Sequence, residues 1–308
     1  MKKFFILIFN IILFILIFFV CDFYVFQNEA KQYLPKNLSV YTYYKNFVLR
    51  DTSQKTFDKQ ILSSNNNSEL FHKVLNEESK ESPILLFGCS FVYGHRIPFE
   101  KSMHKVLQKY TTRPVYDRSY HGWGVNQMLY QLKNPEFYKI IPQKPYKIIY
   151  VYMPDHINRL YKPCMYSIYE YYGAFFKFDK FGKLVKRKDF DGYNRFNLTA
   201  HIYDSINKEK DKEKIKKFLY NHFAEAKTEI EKHWKDTDFI ILEYFPDEIF
   251  ESIKPDLKKH GFIVIDRNEL VKFEYGDERY CLDKTDGHPN QNAWEAVIPK
   301  LMEQNILK

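Results

Sequence analysis

Pro83-Ile84-Leu85-Leu86-Phe87-Gly88-Cys89-Ser90-Phe91-Val92-Tyr93-Gly94 is the stretch whose reading decides the fold. Its apolar run, Ile84 to Phe87, has the length and composition of a strand buried on both faces, and it stops at a glycine. Ser90 follows at once, between Gly88 and Gly94. That places a hydroxyl on a tight turn at the carboxyl end of a strand, where open α/β sheets hold their ligands. A small nucleophile there can face a cleft. Gly and Ser are also ordinary residues of strand-to-helix turns, so the turn alone leaves a catalytic and a structural reading side by side.

Outward from this turn, strands and helices alternate. Met103, Val106, Leu107 and Tyr110 recur at helical spacing, and Pro114 to Tyr116 is a short second strand. Val125, Met128, Leu129 and Leu132 mark another amphipathic helix, and Lys147 to Met153, rich in Ile, Val and Tyr, is a third strand. Ile215, Phe218, Leu219, Phe223, Ala226 and Ile230 define a long helix with a basic solvated face. Phe239 to Phe245 is the fourth strand, Asp247 to His260 a helix interrupted at Pro255, and Phe262 to Ile265 the fifth strand. A last helix turns Trp294, Val297, Ile298 and Leu301 inward. This alternation predicts a three-layer α/β/α sandwich on a five-stranded parallel sheet. The rhythm breaks between Tyr161 and Thr199, where Ala174 to Lys186 reads as a β-hairpin turning at Lys180-Phe181-Gly182, inside an insertion at about 161–200.

The N-terminus is a different material. Lys2 and Lys3 precede Phe4 to Val20, which is apolar apart from Asn10 and sits at the short end of a membrane span. No Ala-x-Ala-like cleavage site follows, and Val20 stands where a lipoprotein would have a small residue before Cys21. The reading is a transmembrane signal anchor over 1–22, a stalk and lead-in helix (Glu69 to Asn76) over 23–78, and one domain over 79–308. The positive N-terminus stays cytoplasmic, so the domain is exported. The net charge of +8 comes from scattered lysines and leaves no nucleic-acid footprint. Four cysteines, Cys21, Cys89, Cys164 and Cys281, make no disulfide framework, with a Cys164–Cys281 bridge left open. No CxxC or spaced His cluster argues for structural zinc.

Near the C-terminus stands Asp286-Gly287-His288-Pro289-Asn290. An Asp and a His on one loop are what a serine nucleophile lacks: a base, and a group to orient it. Gly-x-Ser early and Asp-x-His late is the order of the SGNH (GDSL-like) hydrolases, and from Pro83 to the C-terminus the chain resembles that family. The resemblance implies Ser90 as nucleophile, with Cys89 as the rival in the place of the usual Asp. It implies His288 as base and Asp286 as its orienting partner, with Asp283 in reserve; the family's more common position, three before the His, holds Thr285 here. Asp117-x-Ser119-x-x-Gly122 matches the second block, so the backbone N–H groups of Ser90 and Gly122 are implied as oxyanion donors. The third block, Met153 to Arg159, lacks the family's Gly-x-Asn-Asp. His156 is the donor expected there, with Asp155 or Asn158 in reserve, since an ionised Asp has no proton to donate. His121 and Arg159 are candidate pocket residues.

The expectation is a serine esterase without metal or organic cofactor, cleaving an acyl ester, an O-acetyl above all, on a cell-envelope glycan. An acyltransferase using the same residues and a non-catalytic envelope scaffold are the alternatives, because fold does not fix function. The expected partners are an acylated glycan or small ester and the membrane. Protein partners stay unknown.

Overall fold

Ile84–Phe87 forms strand β1, every residue buried, and parallel strands flank it on both sides. In the computed structural model residues 2–30, 78–161, 176–186 and 211–307 are described, with residues 198, 202 and 206. The chain divides into two units, one of 1–57, 161–173 and 188–208, the other of 58–160, 174–187 and 209–308. In the first, helix α1 (Lys2–Ala30) holds a segment, Ile6–Val25, long and apolar enough to cross a membrane. Towards the end of that segment Asp22 is enclosed, and its carboxylate accepts the Leu198 backbone N–H at 2.6 Å. Helix α1 continues to Ala30, into the expected stalk, while residues 31–77 with the lead-in helix and most of the insertion, Cys164 included, lie outside the described residues.

The second unit is built on the five-stranded sheet. After β1 come α2 (Ser90–Tyr93), α3 (Met103–Gln108), β2 (Val115–Asp117), α4 (Val125–Leu132), α5 (Pro135–Ile140), β3 (Lys147–Tyr152) and α6 (Asp155–Tyr161). A hairpin follows, β4 (Phe176–Phe178) with β5 (Leu184–Lys186), then α7 (Lys212–His233), β6 (Asp238–Glu243), α8 (Glu248–Lys259), β7 (Ile263–Asp266) and α9 (Arg267–Leu270). The chain closes with β8 (Cys281–Asp283), β9 (Asp286–Pro289) and α10 (Ala293–Glu303). The sheet order is β2-β1-β3-β6-β7, all parallel, with Leu86 opposite both Asp117 and Ile149. This is the α/β architecture that the alternating pattern predicts.

Side-chain alternation along the strands makes the layers. Ile84, Leu86, Ile149, Val151, Ile240 and Leu242 share one face and one core with Met103, Val106 and Leu107 of α3 and Trp294, Val297, Ile298 and Leu301 of α10. The intervening residues point the other way. Phe87 meets Phe137 of α5, Tyr150 meets Phe223 of α7, and Tyr152 stacks on Phe250 of α8 at 4.1 Å. Side-chain caps start the helices of that layer: Asp211 accepts from Glu213 N and Lys214 N, Asp247 from Ile249 N and Phe250 N, and Asn134 from Glu136 N.

Two local expectations change. Helix α8 runs through Pro255 without interruption. Pro255 is exposed, so water can solvate the carbonyl that its missing N–H leaves free, while Phe250, Ile253 and Leu257 keep the buried stripe. The segment bearing Asp286 and His288 is an antiparallel hairpin, β8–β9, rather than a plain loop. Cys281 is buried, with Sγ 3.8 Å from the Glu274 carbonyl oxygen, and the bridge left open with Cys164 falls on a residue outside those described.

One contact joins the two ends of the domain. Trp294, fully buried in α10, donates its indole N–H to the Phe91 carbonyl at 3.1 Å. Trp294→Ala should therefore cost about 3–5 kcal/mol of stability. Trp294→Phe should cost about 1–2 kcal/mol, from the carbonyl left without a donor. Denaturant unfolding of the purified chain in detergent measures both, and a Trp294→Phe chain as stable as the native one would mean that the hydrogen bond adds nothing to the packing.

Candidate active site

The end of β1 leaves little room. A Cβ on Gly88 would lie 2.6 Å from Val92 Cγ2, so only glycine lets the chain pass from strand into α2 as it does. Ser90 then becomes the first residue of α2, nearly enclosed at 5% exposure. Its Oγ lies 2.7 Å from Nε2 of His288, a residue 198 positions away.

Asp286 and His288 are alternate residues of β9, so both side chains leave the strand on the same side. His288 Nδ1 donates to Asp286 Oδ1 at 2.5 Å, and the same oxygen accepts the His288 backbone N–H at 3.0 Å. An acceptor-only carboxylate on Nδ1 fixes the tautomer and leaves Nε2 to accept the Ser90 hydroxyl proton. Gly287 faces the opposite side, against the Tyr275 ring, where a Cβ would lie 2.3 Å from Cε2. Asp283, the reserve partner, is committed to the hairpin turn, accepting from Thr285 N at 2.7 Å and Thr285 Oγ1 at 2.8 Å. Cys89 is fully buried, with its thiol towards the Met153 sulfur at 3.5 Å.

Charge follows this geometry. Burial pushes the Asp286 carboxyl upward, but the hydrogen bond and charge of His288 outweigh it and bring the pKa down to about 2. Arg96 Nη1 stands 3.8 Å from the other Asp286 oxygen. The sequence reading did not single out Arg96 or His95. Gly94 was the available signal, because it ends α2 in the left-handed region (φ 95°) and turns both residues back beside the nucleophile.

The second block is a locked turn. Asp117 Oδ1 accepts Ser119 N at 2.9 Å and Ser119 Oγ at 2.5 Å, and the chain then reaches Gly122, buried with φ 71°. The third block is the first turn of α6 rather than a loop. Asp155 is occupied at both oxygens, by Asn158 Nδ2 at 3.1 Å and Arg159 Nε at 3.0 Å. Arg159 continues to the Trp123 carbonyl at 2.5 Å, and the Arg159 carbonyl accepts from Asn126 Nδ2 at 3.1 Å. His156 is fully enclosed beside Gly124, its Nδ1 2.7 Å from the Tyr150 hydroxyl and its ring edge-on to Tyr150 and Tyr152. It belongs to the layer of the Tyr150 and Tyr152 side chains, whereas Cys89 and Phe91 share the opposite core. That position withdraws His156 from the proposed oxyanion donors. His121 stands half-buried against Tyr93 and His95.

No protein-family model matches the chain, and no curated protein matches it either. Among solved structures, a lipase from a goat rumen metagenome is 16% identical over 72% of this chain and 97% of its own, with a TM-score of 0.44. A putative lipolytic protein of the G-D-S-L family from Desulfitobacterium hafniense DCB-2 is 13% identical over 72% of this chain and 99% of its own, at 0.40. An acetyl xylan esterase from the rumen bacterium Butyrivibrio proteoclasticus is 13% identical over 73% of this chain and 63% of its own, at 0.43. Likeness at this level carries no argument about the reaction.

The depressed Asp286 pKa has a direct consequence for stability. A carboxyl with a folded pKa below its unfolded value, ordinarily about 3.9, adds stability that is complete above that value. The contribution is lost as pH falls through about 2. In Asp286→Asn the fall of Tm between about pH 4 and pH 2 should be shallower than in the native chain. Identical slopes would show that Asp286 is not held ionised by His288.

Proposed function

We propose that the chain is a serine esterase that acts through Ser90, His288 and Asp286. One observation carries the reading: a hydroxyl, both nitrogens of one imidazole and a carboxylate lie in series, at 2.7 Å and 2.5 Å. In this mechanism Ser90 Oγ adds to the ester carbonyl carbon while its proton passes to His288 Nε2. Asp286 holds the imidazole by Nδ1 and stabilises the imidazolium. The backbone N–H groups of Ser90 and Gly122 are the assigned donors to the carbonyl oxygen as it becomes an oxyanion. Collapse of the tetrahedral adduct breaks the ester C–O bond, and the departing alcohol takes the proton from His288. Water then attacks the acyl-serine, giving its proton to His288, which returns it to Ser90 as the acid leaves. The residues need no metal or organic cofactor for these steps.

The substrate reading follows from address. Helix α1 is proposed as an uncleaved anchor, with Lys2 and Lys3 on the cytoplasmic side and the catalytic domain exported. An enzyme so tethered works beside the cell envelope, and an acyl ester on an envelope glycan, an O-acetyl above all, is the substrate assigned to it. Transfer to a sugar hydroxyl would use the same three residues with a different acceptor. Products formed from an acetylated glycan, with and without an acceptor sugar, separate hydrolysis from transfer.

Ser90→Ala should leave less than about a hundredth of the turnover of an aryl acetate, and His288→Ala should do the same. Because the two act as a unit, the double variant should be little worse than either single one. Additive losses would show two independent contributions and overturn the pairing. The chain should also sediment with membranes and stay there through a high-salt wash, as an integral anchor does. An intact mass beginning at a lipid-bearing Cys21 would replace the anchor with a lipoprotein.

A further inference from the structure

A second imidazole lies against the base, and the chemistry above makes no use of it. Gly94 turns the chain back at the end of α2, so that Gly94 N and His95 N both donate to the Ser90 carbonyl, at 3.0 and 3.1 Å. His95 is thus fixed to the backbone of the nucleophile itself. Its ring comes to 4.7 Å from the His288 ring, tilted by 44°, and on another side meets His121 at 5.0 Å, edge-on at 82°. Phe91, also on α2, meets His288 at 4.8 Å with a tilt of 39°. The base therefore rests on two rings, both carried by the turn that carries Ser90.

We propose that His95 is a positioning residue for the base: from the nucleophile's own turn it holds the His288 ring where Nε2 meets the Ser90 hydroxyl. The proposal rests on the reading of Ser90 and His288 as nucleophile and base. Hydrogen bonds from Nδ1 and to Nε2 define a line through the imidazole, and the ring can still rotate about that line. Ring contacts restrain the rotation, and Phe91 and His95, tilted against the imidazole at 4.8 and 4.7 Å, supply two of them.

An imidazole in this place must also stay uncharged. The charged and titratable groups facing His288 are Asp286 on its own strand, Ser90 and His95 from the α2 turn and, through Asp286, Arg96. Those facing His95 are His288, Arg96, Asp286 and His121. Burial, then the charge of His288, then that of Arg96 push the His95 pKa down to about 4, with Asp286 acting the other way. His95 is consequently neutral whenever His288 takes up a proton in neutral solution. A cation there would oppose the imidazolium that the reaction must form.

The test compares His95→Ala, His95→Phe and His95→Lys in the full-length chain in detergent. It uses the pH–rate profile with an aryl acetate and an NMR titration of the His288 ring. His95→Ala should lower kcat about tenfold with little change in KM, since a misplaced base loses rate rather than binding. His95→Phe should restore most of that loss. His95→Lys should move the acid limb, and the His288 titration, about one pH unit lower, because a nearby cation disfavours the imidazolium. A native kcat in His95→Ala, or an unmoved titration in His95→Lys, would overturn the proposal. If His95→Ala fails to fold, the Phe and Lys variants decide alone: an unmoved titration in His95→Lys overturns it. The titration needs no turnover, so the two readings can fail separately. A shifted His288 without Ser90-dependent activity would sink the esterase and keep the contact; an unmoved His288 with such activity would sink His95 alone.

Discussion

Strand β1 has a parallel neighbour on each side, and the site depends on that position. Pairing with β2 and β3 fixes where Phe87 ends, and the close approach of Gly88 to Val92 fixes how the chain leaves the strand. Ser90 is therefore placed by backbone geometry before any side chain of the site acts. The second half of the arrangement arrives from the far end of the chain. Trp294 reaches the Phe91 carbonyl, and Tyr275 presses on Gly287 and donates to the Thr285 carbonyl at 3.0 Å. These contacts hold a narrow two-stranded hairpin against α2, which no hairpin of that size could achieve alone.

A second Ser, His and Asp lie close together in the same domain, and the comparison shows what distinguishes a relay from a brace. Ser102 Oγ is 3.1 Å from His104 Nδ1, and Asp117 Oδ2 is 3.4 Å from that same nitrogen. A proton cannot pass from hydroxyl to ring while a carboxylate orients the other side, because both partners compete for one atom. All three residues are fully enclosed or nearly so. In the Ser90 arrangement each ring nitrogen has its own partner, and His288 and Asp286 are each 22% exposed. A triad of residue types is common in a polar core; the use of both nitrogens at an accessible edge is the informative feature.

The five strands were legible because each is a short apolar run bounded by Gly, Pro or charge, and in the inner strands β1, β3 and β6 burial on both faces removes the need for alternation. Ser90 was singled out by its turn at the end of an apolar strand, and the Asp286–His288 pair by resemblance to the last block of a known family; the fold brings the three side chains together. Helix α5 carried little signal, since the six residues from Pro135 to Ile140 are too few for a period to repeat. Pro255 misled in the other direction: the cost of an interior proline depends on whether its freed carbonyl meets water, and exposure cannot be read from the residue type. His95 was missed because Gly94, its one signal, marks a turn without giving the direction in which a positive-φ residue sends the chain.

The third block shows why a motif match can fail at one residue and leave the surrounding geometry intact. Pattern alignment put Asp155 where an oxyanion donor stands in the family, and a free carboxylate there would repel the developing charge. In this chain the carboxylate is the first acidic residue of α6, favourably placed against the helix dipole, with Arg159 one turn on. Both its oxygens accept hydrogen bonds, and the Arg159 guanidinium reaches on to the Trp123 carbonyl, next to Gly122. Asp155 thus acts on the Gly122 loop through Arg159, as an anchor for the segment whose backbone N–H is assigned to the oxyanion. With His156 enclosed beside Tyr150, the proposed stabilisation falls to main-chain donors. Such donors are oriented by the fold before substrate arrives, and their cost of organisation is met in folding rather than in the reaction.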